Sequence, residues 1–410
     1  MSPLRYLRPI TSLALVAALS GWSANAFADD DDDHCDSREV KHVFVIALEN
    51  HNWTQPASET GIQQIYQNPN APFINSLVNG TAQVYVNSKL KNISKQVSYA
   101  TAYHNVLATP SGNNPSIHPS EPNYIWAEAG TNFGILNDND PYGPGGTNQN
   151  TDQHLTGLLQ KAGKTWRSYQ EDTDLQTESG GALTNLPLPF DQWTSPISSF
   201  SGVFAQDSNL NASNASSQYN YACKHNPQIF FTDTNGGDDP TPANPLSHNY
   251  APLQQLAFDL ANDNVADYVW ITPDQYNDMH SSLSNPFDGL TGDSQNIRQG
   301  DNAISRLVPL IMSSHAYKDG GAIILWWDES EGGDDFSHTL GEIVISPLAH
   351  PNVGGRPYAS SVNYTHSSDL RTMQEIFHVK ASGSSIWLGD AANASDLSDL
   401  FAHGVIPAHP

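Results

Sequence analysis

An α/β fold, with a mostly parallel sheet covered by helices on both faces, is predicted for this chain by the alternation of two apolar patterns. Short β-rich runs recur along it: KHVFVIALEN, GKTWRSYQED, NPQIFFTDT, VADYVWITPD, GGAIILWWDE and GEIVISP. The most apolar of them suit strands buried on both faces. Between them lie amphipathic stretches at helical spacing. PLQQLAFDLAND sets Leu253, Leu256, Ala257 and Leu260 on one face, and NAISRLVPLIMSS does the same with Ile304, Leu307, Val308 and Ile311. Strands alternating with such helices are the pattern of a sheet with helical crossovers. Two polar regions rich in Gly, Pro and Asn, about 135–150 and 173–219, interrupt the rhythm and are expected as long loops or small subdomains that shape access to a site.

The bulk numbers bound the possibilities. At 410 residues and 38% hydrophobic side chains, the chain is long enough to bury a sizeable core. Its 43 acidic against 17 basic residues give a formal charge of -26, so the surface repels polyanions and a nucleic-acid partner is not expected. Arg5 and Arg8, an apolar stretch from about Leu13 to Trp22, and the small residues Ala24, Ala26 and Ala28 read as a cleavable secretory signal over residues 1–28. An acidic leader, 29–40, follows. No later stretch reaches the length of a membrane span, so no stable membrane insertion is expected and the mature protein is placed in the periplasm or outside the cell. That oxidising setting permits Cys35 and Cys223 to bridge or to remain as two free thiols.

The chemistry collects where strands end. The first run leads into Glu49, Asn50 and His51; VADYVWITPD leads on to Asp274, Asp278 and His280; GGAIILWWDE ends in Asp328 and Glu329, with Asp334 and Asp335 in a glycine-rich turn beyond. In an open parallel sheet, ligands bind outside the carboxyl ends of the strands. A lone Asp or His at such a place is ordinarily a solvated loop residue or a helix cap. The WWDE pair differs, because two carboxylates directly after so apolar a strand lie close to the core, where unpaired charge is costly unless a cation compensates. Carboxylates with amide oxygens suit a hard divalent cation, and added histidines move the preference toward zinc, manganese or iron.

SIHPSEPNYIW adds a hydroxyl. Pro122 fits the first turn of a helix through NYIWAEAG, which puts Ser120 at or next to its N-cap. As structure this is an ordinary cap. As chemistry, a hydroxyl at the positive end of a helix is a nucleophile that a metal could deprotonate, in a place that welcomes phosphate. Glu121 is expected as a first-turn carboxylate facing away.

ALENHNW, HPSEPNYIWAEAG, HNPQIFF, ITPDQYNDMHS, GGAIILWWDESEGGDD and YTHSSDLRTMQEIF, in this order, resemble the phosphoesterase family of bacterial and fungal acid phosphatases and bacterial phospholipases C. That family is a relative of the alkaline phosphatase superfamily, and the HPSEPNY and NDMH pieces resemble its acid phosphatase branch. The resemblance covers about 41–380 and leaves 381–410 as a short C-terminal extension. It implies a three-layer α/β/α sandwich, alkaline-phosphatase-like, and a two-step phosphoryl transfer. It also implies a divalent metal held by Glu49, Asn50, Ser120, Asp328 and Glu329, with Ser120 as nucleophile. His280 would face the phosphate and Asp278 would orient its ring; His118 and His366 are further candidates for a catalytic role.

The function so implied is a secreted metal-dependent phosphomonoesterase acting on small phosphate esters. A phospholipase C would run the same chemistry on a diester but would need an apolar surface for acyl chains. A secreted binding protein without catalysis would be expected to have lost part of the set Glu49, Asn50, Ser120, His280 and Asp328, all of which are present.

Overall fold

The structure is a computed structural model that describes residues 39–105, 117–205, 211–333 and 335–410. The signal and most of the acidic leader read from the sequence, with Asp334, lie outside the described residues. One sheet contains His42–Leu48 (β1), Val97–Ala100 (β2), Trp166–Gln170 (β3), Tyr250–Pro252 (β4), Tyr268–Thr272 (β5), Gly321–Trp327 (β6), Glu342–Ile345 (β7) and Tyr358–Ser360 (β8). Their order across the sheet is β4-β3-β5-β1-β6-β7-β2-β8. All neighbours run parallel except at β7, which is antiparallel to both β6 and β2. In β1 only His42 is not buried, and β5 and β6 are buried throughout. Strands this apolar have no face to give to water, so they occupy the centre and leave the shorter strands to the edges.

Helices flank the sheet: Pro72–Asn79 (α1), Ser120–Ala129 (α2), Leu155–Lys161 (α3), Leu256–Ala261 (α4), Asp293–Met312 (α5) and His366–Phe377 (α6). The expected α/β arrangement, a mostly parallel central sheet with helices around it, is therefore the one found. Every residue of α2 is buried, so it is a core element. In α5, Ile304, Val308 and Ile311 are buried as the spacing predicts, with Leu307 half-buried; α6 buries Leu370, Met373, Ile376 and Phe377.

Some sequence expectations are corrected. NPQIFFTDT is no strand: it forms a 3-10 turn at Pro227–Phe230 and a helical turn at Thr232–Asn235, because Pro227 fixes a helical first position and Gly236 closes the turn in the left-handed region at φ 84°. Its apolar residues are buried either way, so composition alone could not separate the two forms. In PLQQLAFDLAND, Ala257 is exposed, and Asp259 is buried against Arg167 at 3.0 Å and the Tyr169 hydroxyl at 2.7 Å. The long polar region after Thr173 contains two hairpins, Leu175–Thr177 with Leu183–Pro187 and Phe200–Val203 with Gln218–Tyr221. Among the described residues Cys223 is buried and has no disulfide partner; Cys35 lies outside them. The described residues cluster as one compact unit, in which Leu397, Leu400 and Phe401 are buried and the Ser98 hydroxyl donates to the Leu400 carbonyl at 2.5 Å. Among the described residues no helix is long and apolar enough to cross a membrane.

Candidate active site

Leu48 of β1 lies opposite Trp327 of β6, so the next residues along the two strands, Glu49 and Asp328, emerge side by side at the carboxyl edge. The backbone seals the junction: Asp328 N–H donates to the Leu48 carbonyl at 3.1 Å, and Asn50 N–H donates to Asp328 Oδ1 at 3.1 Å. Asn50 turns the chain with φ 50°, a left-handed conformation that Asn tolerates better than most residues. Both carboxylates are fully buried, and Asp328 Oδ2 and Asn50 Oδ1 have no hydrogen-bond partner among the described residues.

The N-terminus of α2 meets this edge. Ser120 is its first helical residue, after Pro119, and is 1% exposed. Its hydroxyl lies 3.0 Å from Glu49 Oε2 and 3.3 Å from Glu329 Oε1. One turn on, the Tyr124 hydroxyl donates to Glu49 Oε1 at 2.6 Å. Glu329 Oε2 is also 2.5 Å from His118 Nδ1 and accepts from Asn123 Nδ2 at 3.4 Å. The serine therefore sits between two carboxylates, each fixed by a second partner from α2 or the residues just before it.

A third wall comes from β5 and from the turn Cys223–His225. Asp278 Oδ1 accepts the His280 backbone N–H at 2.8 Å, and its Oδ2 lies 3.1 Å from His225 Nδ1. With Nδ1–H donated to Asp278, His225 presents Nε2 as a bare lone pair 3.1 Å from Glu49 Oε1. Two acceptors facing each other in a buried place ask for a proton or a cation between them. A carboxylate that fixes an imidazole so that its other nitrogen faces outward is also how metal-binding histidines are oriented. One ligand atom each from Glu49, His225 and His280 lies within 4.8 Å of the others. Between Asp278 and His280, Met279 adopts φ 85° and is fully buried against Gly300 of α5, where a Cβ would come within 2.3 Å of Met279 Cγ. A side chain at that position would displace the turn.

The electrostatics of this place are lopsided. Burial, then repulsion from Asp328 and Asp278, holds Glu49 well above the usual carboxylate range; burial and then Glu329 do the same to Asp328. Asp278 is raised by burial and by Asp328. His280 is pushed down to about 4 by burial and then by the Lys224 cation, and His225 falls well below its ordinary range for the same reasons. Burial disfavours charge on Lys224 too, but Glu49 and Asp138 outweigh it and raise its pKa. A buried group of carboxylates with one nearby lysine does not favour a phosphate dianion. The same group with orphaned Asp328 Oδ2, Asn50 Oδ1 and His225 Nε2 fits a divalent cation, whose charge would reverse that preference.

The residues expected from the sequence converge with two changes of role. Glu49, Asn50, Ser120, Asp328 and Glu329 come together, with His118 at the Glu329 edge and His280 across from them. Asp278 does not hold the His280 ring, whose Nδ1 is 2.9 Å from the Ser281 hydroxyl; it holds the His225 ring and the His280 backbone. His366 is fully buried behind β6 rather than facing substrate. Its Nδ1 lies 3.0 Å from Trp326 Nε1 and 2.8 Å from the Tyr103 hydroxyl, and its Nε2 is 2.5 Å from the Asp328 carbonyl. Since the indole can only donate, Nδ1 accepts and Nε2–H donates to that carbonyl, so His366 positions Asp328. Glu121 is the first-turn carboxylate expected. It is fully buried, and burial pushes its carboxyl up to about 8. His225, Tyr124 and Lys224 were not identified as site residues from the sequence. His225 opens the HNPQIFF stretch and Tyr124 lies within HPSEPNYIWAEAG, so two of the three lay in stretches that carry the resemblance.

Residues 50–380 match the Phosphoesterase family model. An acid phosphatase of Aspergillus fumigatus is 28% identical over 237 residues, 56% of this chain and 41% of that protein. A probable acid phosphatase of Kluyveromyces lactis is 23% identical over 291 residues, 69% of this chain and 55% of that protein. The chain thus spans about half the length of the curated relatives it matches. Among solved structures, a protein in the alkaline phosphatase superfamily from Vibrio parahaemolyticus overlies 88% of this chain and 72% of its own at 10% identity, with a TM-score of 0.43.

Proposed function

This chain belongs to the Phosphoesterase family, and on that premise we propose that it hydrolyses small phosphate monoesters through a phosphoserine formed on Ser120. The observation that carries the reading is the Ser120 hydroxyl at a helix N-terminus, 3.0 Å from Glu49 and 3.3 Å from Glu329. Both carboxylates are within reach of its proton, and the helix end favours the negative charge that develops beside it. The Ser120 oxygen attacks phosphorus in line with the leaving alcohol; the new O–P bond forms as the ester P–O bond breaks. His280 faces the reacting phosphoryl; burial keeps it neutral, and a dianion beside it raises its proton affinity, which suits it to give a proton to the leaving oxygen. Water then cleaves the phosphoserine by the reverse geometry.

Glu49, Asn50, Ser120, Asp328 and Glu329 would hold a divalent cation, with His225 facing the same Glu49 from the other side. When bound, that cation supplies positive charge against the serine and phosphate oxygens. The signal-like N-terminus supports action in the periplasm or outside the cell, on substrates that reach the site from water. The test is Ser120→Ala, which should lower kcat on p-nitrophenyl phosphate by about 10⁴-fold or more, by analogy with loss of other catalytic nucleophiles, while thermal melting stays near wild type. Acid quenching of the wild-type enzyme should trap one phosphoryl group on Ser120. Near wild-type turnover by the alanine variant would overturn the reading, and a faster rate on p-nitrophenyl phosphorylcholine than on the monoester would assign the site to diesters.

A further inference from the structure

Charge is distributed unevenly along this chain. Roughly one residue in ten is acidic overall, yet residues 60–120 contain no Asp or Glu, and neither do residues 343–368. The only Lys or Arg in these stretches are Lys89, Lys91, Lys95 and Arg356. The fold brings the two stretches together: a Cβ on Gly80 would lie 3.0 Å from Pro357 Cδ, and β8 pairs with β2 from Tyr358 onward. Lys318 lies near enough to Lys91 for the two cations to repel, and the adjacent Asp319 is paired with Lys41 at 2.9 Å. All five cations of the patch, Lys89, Lys91, Lys95, Lys318 and Arg356, are exposed.

At their centre is the hairpin Gln83–Val86 with Lys89–Asn92. Val84 and Val86 are buried and mount it on the body, while Tyr85 and Leu90, directly opposite each other across the strands, are 66% and 53% exposed. An apolar pair ringed by lysines is the composition of segments that sit at the boundary of headgroups and acyl chains. Lys318 lies just before Gly321, the first residue of β6, so the patch is at the amino edge of the parallel strands. The site lies at the carboxyl edge, and seven residues of strand separate the two by roughly 20 Å.

We propose that this hairpin docks the protein on anionic lipid bilayers, with the site turned away toward water. Each lysine near an anionic bilayer surface raises partitioning about fivefold. The remaining carboxylates do not prevent docking, because charges farther from the surface than about 8–10 Å are screened at physiological salt. A lipid surface is favoured over an anionic polysaccharide because Tyr85 and Leu90 gain only where there is apolar material to enter.

The test is co-sedimentation of the mature full chain with phosphatidylglycerol vesicles and with phosphatidylcholine vesicles. Binding is expected to the anionic vesicles alone, weakening as salt rises. The triple variant K89E/K91E/K95E should bind about a hundredfold less or weaker still, and Leu90→Ser severalfold less, with hydrolysis of p-nitrophenyl phosphate unchanged in both. Failure to bind anionic vesicles at low salt, or equal binding by the triple variant, would overturn the proposal. So would binding to dextran sulfate without binding to vesicles, or a self-associated state in light scattering that the triple variant abolishes, which would assign the patch to a second copy of this acidic chain.

Discussion

Replacing His366 with leucine keeps the volume behind β6 nearly filled and removes two hydrogen-bonding nitrogens. Trp326 Nε1 loses its acceptor at 3.0 Å but keeps the Tyr103 oxygen at 3.2 Å. The Asp328 carbonyl, 2.5 Å from the lost Nε2, has no comparable substitute. One stranded buried acceptor costs about 1–3 kcal/mol, so the unfolding free energy from urea titration should fall by that amount while the protein still folds. The larger effect is on the site, because the His366 bond fixes the backbone of Asp328. Loss of such a support around a metal ligand costs about 10–100-fold in metal affinity or activity. The assay is kcat for p-nitrophenyl phosphate at saturating divalent cation, read beside metal affinity by titration calorimetry. If the variant loses stability but keeps wild-type kcat and affinity, His366 supports the fold alone and the link through Asp328 is refuted. His366 is held down to about 4, chiefly by burial, so it stays neutral through the assay range and its effect should not depend on pH there.

Three further predictions follow from charge. Removal of divalent cation by a chelator should lower both activity and the melting temperature, and adding the cation back should restore them. Because burial and neighbouring carboxylates hold Glu49 and Asp328 above the usual range, these carboxyls keep protons that a cation must displace. Calorimetry in buffers of different ionisation enthalpy should therefore register proton release on binding, with affinity falling as pH falls; binding without proton release would contradict this. Away from the site, Asp301 accepts the Phe73 and Ile74 N–H groups at the start of α1, and burial raises its pKa from 3.8 to about 6. The folded state then keeps a proton that the unfolded chain has released. Its stabilisation is full below about pH 4 and is lost as pH rises toward about 6. Relative to Asp301→Asn, the wild type should lose about 2–3 kcal/mol across that window and nothing more above it, as measured by urea unfolding at a series of pH values.

The strands that matter most were legible because their neighbours leave them no choice. KHVFVIAL, DYVWIT and GAIILWW carry no polar face, so they had to be central, and parallel order then put Glu49, Asp328 and the Asp278–His280 turn at one edge. The short strands β2, β4 and β8 were not read, since three or four residues show no period of their own; β7, as short, was legible only because GEIVISP is almost continuously apolar. NPQIFFTDT misled for a related reason, as an apolar run of that length is buried whether it is extended or coiled.

The sequence by itself determined which chemical groups this protein can bring to a strand edge: carboxylates, an amide, a hydroxyl and imidazoles, each placed by its own strand or helix end. Which group touches which was decided by the tertiary structure. Asp278 was legible as a partner for a histidine, but only the packing of the Cys223–His225 turn against β5 chose His225 instead of His280. His366 reads in sequence as a loop residue near a site, and only the depth of α6 behind β6 makes it a support for the Asp328 backbone. Local pattern fixes where a side chain starts, because backbone periodicity is short-ranged. Its partner depends on which distant segment packs there, and that is set by the whole core at once.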